Sequence, residues 1–400
     1  MRLLAIAGLV LAGLATTPAA AAAATKTIDL PIVFLTRAEE PRLPLSFVDP
    51  VVEDPGVWGA RLAIKDNQTT GRFLGHNYEL VEVVVPAEAD IEAVFAEQIE
   101  AGGRLFIADL PRDDLLAIAR KPESAETLIF NGRVGDDDLR LTTCFPQVFH
   151  TALSRAMRAD ALVQFLVWKK WTEIFLLAGT TEGDQAYAQA IHRAAKKFGA
   201  EIVAEESYAY DPIARRTDSG HIQVQRQMPL ATQAADDDYD VLVAIDEHEI
   251  FGEYLPYNTY APRPVAGTHG LVPMSWHRVQ EQWGSTQIQR RFTEIAGRWM
   301  EERDYGAWLG VRAIGEAVTR TNSGDIQALR AYLRGPDFAL GGFKGVGLTF
   351  RPWNQQMRQP VLLVDKRVLV SVSPQPGFLH QRTPLDSLGF DEPESDCALQ

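Results

Sequence analysis

Short, almost wholly apolar runs alternate with segments of helical periodicity along most of this chain. Ile28 to Leu35, Tyr78 to Val85, Arg104 to Ala108 and Thr127 to Phe130 read as strands. Between them, Trp58 to Asn67, Ile91 to Ala101 and Asp113 to Arg120 space their apolar positions as helices do. A long loop with Pro41, Pro44, Pro50 and Pro55 separates the first strand from the first helix. The pattern restarts after Cys144. Helix Ser154 to Trp168, strand Glu173 to Ala178, helix Asp184 to Phe198 (closed by Gly199) and strand Glu201 to Glu205 follow in order. The turn Asp236-Asp237-Asp238 then precedes strand Val241 to Ile245, and Pro264 to Gly267 is a further short strand. Phe292 to Arg320 reads as helical and is rich in aromatic and small residues, and the chain after Phe350 is strand-like before an acidic, loose end.

Strands alternating with helices imply βαβ units and parallel sheets. Two such sets in series predict an α/β protein of two doubly wound parallel-sheet lobes joined by a hinge. The expected division gives residues 24–149 and 275–345 to lobe 1, and residues 150–274 and 346–400 to lobe 2. Ligands of such sheets bind beyond the carboxyl ends of the strands, so the loops that follow strands matter most.

The first residues change the picture of where the protein works. Arg2 is followed by the apolar run Leu3 to Leu14, then Pro18 and the small residues Ala19 to Ala24. That is the layout of a secretory signal peptide, residues 1–23, and the run is shorter than the ~20 residues a spanning helix needs. A periplasmic location is expected. The composition, 46% hydrophobic and 23% charged, suits globular domains with large cores. A net charge of −14 disfavours nucleic acid and anionic lipid as partners, without opposing a small anion in a locally basic cleft. In an oxidising compartment the two cysteines, Cys144 and Cys397, can pair.

The sequence carries no Gly-x-Ser-x-Gly elbow, no His-Glu-x-x-His helix and no phosphate loop of the Gly-x-x-x-x-Gly-Lys type. The glycine-rich run Gly341 to Gly347 reads as a turn into a strand. Asp246-Glu247-His248-Glu249 follows a strand but has no second cluster to complete a metal site; Glu247 suits a cleft lining better. The chain therefore reads as a binding protein without catalytic residues, metal or required cofactor.

Basic residues give the more specific hint. Arg37 and Arg42 lie in the first long loop, Arg112 after the strand ending at Ala108, and Arg133 after Phe130. Guanidiniums converging on one rim would suit a ligand with several carboxylates. Each is also a candidate for a plain ion pair, with Asp113, Asp114 and Asp136 to Asp138 close by. In the second lobe Thr180 and Thr181 open a helix, where an anion site and a plain N-cap are both open readings. His269 sits in the loop Gly267-Thr268-His269-Gly270. Trp58 and Trp276 are candidates for stacking on a flat ligand, or for core positions.

The segments GARLAIKDNQTTGRFLGHNYELVEV and ALVQFLVWKKWTEIFLLAGTTEGDQAYAQAIHRAAKKFGAEIVAEESY resemble the openings of the two lobes in type I periplasmic solute-binding proteins of the branched-chain amino-acid class. The resemblance covers roughly residues 28 to 370. It implies ligand contacts from Asp109 to Arg112, Asn131 to Arg133, Thr180 to Gly183, Asp246 to His248, and Thr268-His269. It also implies an ABC transporter permease as partner. The amino-acid binders use Ser/Thr hydroxyls and an acidic residue where this chain has Pro111-Arg112, Gly132-Arg133 and His269, which argues against an ordinary α-amino acid. Together with the second-lobe block, the tail SVSPQPGFLHQRTPLDSLGF is similar to members associated with pyrroloquinoline-quinone-dependent alcohol dehydrogenase systems. That subset implies pyrroloquinoline quinone (PQQ), a flat tricarboxylate, as bound ligand. An amino acid, amide or aromatic acid remains an alternative, as does a ligand-free scaffold for a periplasmic dehydrogenase.

Overall fold

A computed structural model describes residues 27–39, 51–209, 220–397 and 399. The expected signal peptide and Arg42 lie outside the described residues.

The first lobe is built on a five-stranded parallel sheet. Its elements are β1 (Ile28–Arg37), α1 (Val57–Leu74), β2 (His76–Val85), α2 (Ile91–Glu100), β3 (Leu105–Asp109), α3 (Arg112–Arg120), β4 (Leu128–Asn131) and β5 (Val148–His150). The strand order is β2-β1-β3-β4-β5, so the order reverses between β1 and β3. All five residues of β3 and all four of β4 are buried, as expected of parallel strands covered on both faces.

The chain then enters the second lobe: α4 (Arg155–Trp168), β6 (Glu173–Gly179), α5 (Glu182–Phe198), β7 (Glu201–Tyr208), α6 (Gly220–Ala231), β8 (Val241–Ile245), β9 (Val265–Gly267) and β10 (Val272–Met274). Its parallel sheet runs β7-β6-β8-β9, with the reversal between β6 and β8. Gly199 ends α5 in the left-handed conformation, and Thr181 caps its start by accepting the amide of Asp184.

The return to lobe 1 brings α7 (Ser285–Ala296), α8 (Glu302–Thr321), α9 (Ile326–Arg334) and the short strands β11 (Leu340–Gly341), β12 (Gly347–Phe350) and β13 (Met357–Arg358). The hairpin β14 (Val361–Asp365) and β15 (Val368–Ser373) pairs with β10. Leu348, Phe350 and Met357 pack in the lobe 1 core with α1, α8 and α9, whereas Val361, Leu363 and Leu388 pack in the lobe 2 core with α4 and α5. The chain therefore crosses to lobe 2 between residues 357 and 361. This corrects the expected switch at 345, because β12 and β13 bury apolar side chains on the lobe 1 side first.

The segment Phe292 to Arg320, expected as helical, falls in two helices. Gly297 closes α7 in the left-handed conformation, and a capping box of Glu301 and Asp304 opens α8. The new helix start packs very closely on lobe 1. A Cβ on Gly59 would collide with the backbone carbonyl of Asp304, and one on Gly306 with that of Gly132. Asp304 also accepts the amide of Gly56 at 2.9 Å. The start of α8 is thereby held at the carboxyl end of the lobe 1 sheet.

Three crossings join the lobes, at 150–155, 274–276 and 357–361, and their surroundings are polar and buried. Gln359 Nε2 donates to the Thr151 carbonyl at 2.8 Å, and Gln356 Nε2 to that of Ala152 at 2.9 Å. Cys144 and Cys397 form a disulfide, with Cα atoms 5.6 Å apart. The acidic tail is pinned rather than loose: Glu394 pairs with Arg193, and Gly389 donates its amide to Asp160. Among the described residues no helix is long and apolar enough to cross a membrane.

Candidate functional site

The carboxyl ends of both parallel sheets and the start of α8 carry linked charges. Asp109, the last residue of β3, is 2% exposed and receives a two-pronged contact from Arg303, Nε to Oδ1 at 2.8 Å and Nη2 to Oδ2 at 2.5 Å. Thr36, from the end of β1, adds its hydroxyl to Oδ2 at 3.1 Å. Arg303 Nη1 also reaches Glu39 Oε1 at 3.1 Å, and Arg133 Nη1 reaches the same oxygen at 2.7 Å. One carboxylate oxygen thus lies between two guanidiniums. Burial lowers the pKa of Arg133, and the neighbouring Arg303 lowers it further, against the pull of Asp109 and Glu39.

A second guanidinium centre joins the lobes. Arg155, the first residue of α4, grips both oxygens of Glu247, at 3.0 and 2.8 Å, and reaches Asp136 of lobe 1 at 2.9 Å. Burial opposes its charge, but the bonds to Glu247 and Asp136 more than offset this, and its pKa is raised. Arg158, one turn on, donates to the Pro273 carbonyl and to Glu302, which in turn accepts the amide of Ser275. Glu302 and Arg303 are adjacent at the start of α8, one facing the lobe junction and the other lobe 1.

The structure brings together only part of the residues expected from sequence. Arg133 and Glu247 lie in these networks. Arg37 turns aside: its guanidinium pairs with Asp114 and donates to the carbonyls of Pro86, Ala87 and Ala89. Arg112 is spent on Asp138 at 2.5 Å, with Asp113 and Asp136 beside it. Neither shares an acid with Arg303, so at that centre the expected rim reduces to Arg133 with Arg303, while Arg112 touches the second centre through Asp136, the acid it shares with Arg155. Thr181 is an N-cap whose hydroxyl donates to Asp184, while Thr180 is exposed beside it. His269 is buried, with Nδ1 3.0 Å from the Thr268 hydroxyl; burial lowers its pKa and favours the neutral ring. Asp246 accepts the amides of Phe251 and Gly252 through one oxygen, and its other buried oxygen has no hydrogen-bond partner among the described residues.

One of the two tryptophans takes its core reading. Trp276 is fully buried and stacks on Tyr305, with ring centroids 4.5 Å apart, so it is a core residue at the second crossing. Trp58 is half-buried, with the Arg61 guanidinium 4.2 Å from its ring centroid. Among the described residues no group of three His, Cys, Asp or Glu side chains is arranged to hold a metal ion.

Arg303, Glu302, Arg155 and Glu39 were missed from sequence. The signal for two of them was Gly297 followed by Glu301-x-x-Asp304, a helix stop and a new start.

Behind the site, Lys344 is buried against the third crossing and donates to Gln359 Oε1 at 2.9 Å and the Pro360 carbonyl at 2.8 Å. Burial pushes its pKa down to about 7 from an ordinary 10.5. Between those values the unfolded chain holds a proton that the folded chain has released. Stability therefore rises with pH across this window, and the contribution is lost as pH falls through about 7. Lys344→Met is expected to flatten the rise between pH 7 and 10 in denaturant melts followed by circular dichroism. An unchanged slope would show that Lys344 does not titrate there.

A family model described as periplasmic binding protein matches residues 48–366. Comparison with curated proteins returns no match. Several solved structures share the fold. A branched-chain amino acid ABC transporter periplasmic ligand-binding protein from Burkholderia xenovorans superposes with a TM-score of 0.70 at 16% identity, covering 92% of this chain and 99% of that one. A leucine-, isoleucine-, valine-, threonine- and alanine-binding protein from Brucella ovis, in a closed conformation, gives 0.69 at 13% identity, covering 93% and 99%. An ABC transporter solute-binding protein from Rhodopseudomonas palustris, in complex with 3,4-dihydroxybenzoic acid, gives 0.59 at 11% identity, covering 84% and 92%.

Proposed function

The chain belongs to the periplasmic binding protein family, and from that premise we propose that it captures a small carboxylate-bearing ligand between its lobes, PQQ first among the candidates. The family implies a periplasmic location and a small-molecule ligand. Delivery would be to an ABC transporter permease, or to a periplasmic PQQ-dependent dehydrogenase.

The observation that carries this reading is the shared oxygen of Glu39. An oxygen that accepts from Arg303 and lies in ion-pair contact with Arg133 is the position a ligand carboxylate would take. Four acids at this end, Asp109, Glu39, Asp136 and Glu247, are already engaged by arginines, and of Asp246 only one oxygen, buried, lacks a hydrogen-bond partner among the described residues. An amino acid's ammonium group finds less to hold it than a carboxylate does. The naming of PQQ rests on the resemblance of residues 161–208 and 371–390, together with its three carboxylates. The Rhodopseudomonas structure carries a ligand of related chemistry, a carboxylate on a flat ring.

Isothermal titration of the exported form with PQQ should give saturable binding at micromolar concentration or tighter, with 3,4-dihydroxybenzoate and leucine as comparison ligands. Binding of leucine alone would move the protein to the amino-acid class. No heat with any of the three, together with retention on an immobilised quinoprotein dehydrogenase, would favour a ligand-free scaffold.

A further inference from the structure

The C-terminal segment belongs to both lobes. Leu388 packs in the lobe 2 core, Gly389 donates to Asp160 of α4 at 2.7 Å, and Glu394 pairs with Arg193 of α5 at 3.0 Å. From the next residue onward, the contacts that the described residues make outside the tail itself are with lobe 1. Ser395 Oγ donates to the Arg140 carbonyl at 2.9 Å, and Asp396 donates its amide to the Leu141 carbonyl at 2.8 Å. Cys397 is joined to Cys144. Leu399 is buried and accepts from Arg334 of α9. The lobe 1 end is firmly seated, since Leu139 and Phe145, on either side of Cys144, pack in the core beneath α2 and α3.

We propose that residues 395–397 and the Cys144–Cys397 disulfide form a covalent strap between the lobes that limits how far the cleft opens. The three crossings permit hinge motion of the kind such folds undergo. A fourth link, fixed to Arg193 at one end and bonded to Cys144 at the other, spans only a few residues and has little slack to give. Its covalent end makes the limit dependent on oxidation, so a reducing environment lengthens the reach of the hinge. The inference rests on the two-lobed fold and is independent of which ligand is bound.

Small-angle X-ray scattering of ligand-free protein tests it. Cys397→Ser, and wild type treated with dithiothreitol, should both show a radius of gyration larger by about 1 Å on the ~21 Å of a compact chain this size. Glu394→Gln keeps the disulfide but weakens the lobe 2 anchor at Arg193, leaving those at Leu388 and Gly389, and should show a smaller increase in the same direction. Circular dichroism melts accompany each sample to confirm that it is folded. A folded Cys397→Ser or reduced protein with the wild-type radius overturns the proposal and leaves the disulfide a staple of local stability. An unchanged radius in Glu394→Gln, even if the cysteine variant unfolds, overturns it equally.

Discussion

Replacing Asp386 with alanine is expected to cost about 3–5 kcal/mol of folding free energy, the range for stripping one partner from a buried ion pair. Asp386 is fully buried and serves two arginines. Arg351 Nε donates to Oδ1 at 3.0 Å, and Arg358 Nε donates to Oδ1 and Oδ2 at 2.8 and 3.0 Å. The Arg351 side chain is 1% exposed and that of Arg358 is 10% exposed. Arg351 keeps three carbonyl acceptors, on Leu385, Leu388 and Phe390, but alanine leaves both charges without a counter-ion in a dry site. The loss should be visible in urea melts as a lower midpoint. Asp386→Asn retains an acceptor without the charge and should fall between the two. A midpoint shift under about 1 kcal/mol for the alanine variant would show that water or a rearranged tail takes over the carboxylate's role.

Arg303→Ala should weaken binding of PQQ by roughly 30- to 1000-fold, the equivalent of about 2–4 kcal/mol for truncating a desolvated charged partner. The substitution removes one of the two guanidiniums that flank Glu39 Oε1, and among the described residues it leaves the buried Asp109 with only the Thr36 hydroxyl as side-chain hydrogen-bond donor. Ligand affinity should therefore fall together with some stability. Arg303→Lys separates the two effects: the charge stays beside Asp109, but the fork that engages Asp109 and Glu39 together is gone. Titration calorimetry on folded protein reads the change. An unaltered dissociation constant for Arg303→Ala would place the ligand away from the Arg133–Arg303 pair.

The fold was legible in the sequence because parallel strands buried on both faces write unbroken apolar runs. Leu105–Asp109 and Val241–Ile245 are of this kind, and the helices between them carry plain stop signals such as Gly199. The late crossing was not legible. Residues 340–358 are short strand pieces whose apolar residues would suit either lobe, and only tertiary contacts assign them. The site was half legible. Arg133 and Glu247 follow strands, where the fold class directs attention, whereas Arg303 and Glu302 start a helix that merged with its neighbour once Gly297 was passed over. Arg37 and Arg112 turn away from Arg303 for an electrostatic reason. Proximity to strand ends says where Arg37 and Arg112 begin, and their neighbouring aspartates decide where they point.

The triple crossing also sets a timetable for the newborn protein. Lobe 1 closes its core only when α8, made more than 150 residues after β5, packs against α1, and contacts so distant in sequence slow folding. During synthesis and export, residues 155–274 can therefore condense while one face of the first sheet is only partly covered, by α1, the condition in which chains aggregate. Cys144 waits longest: its partner lies 253 residues further on, so oxidation follows the synthesis of both lobes' sheets.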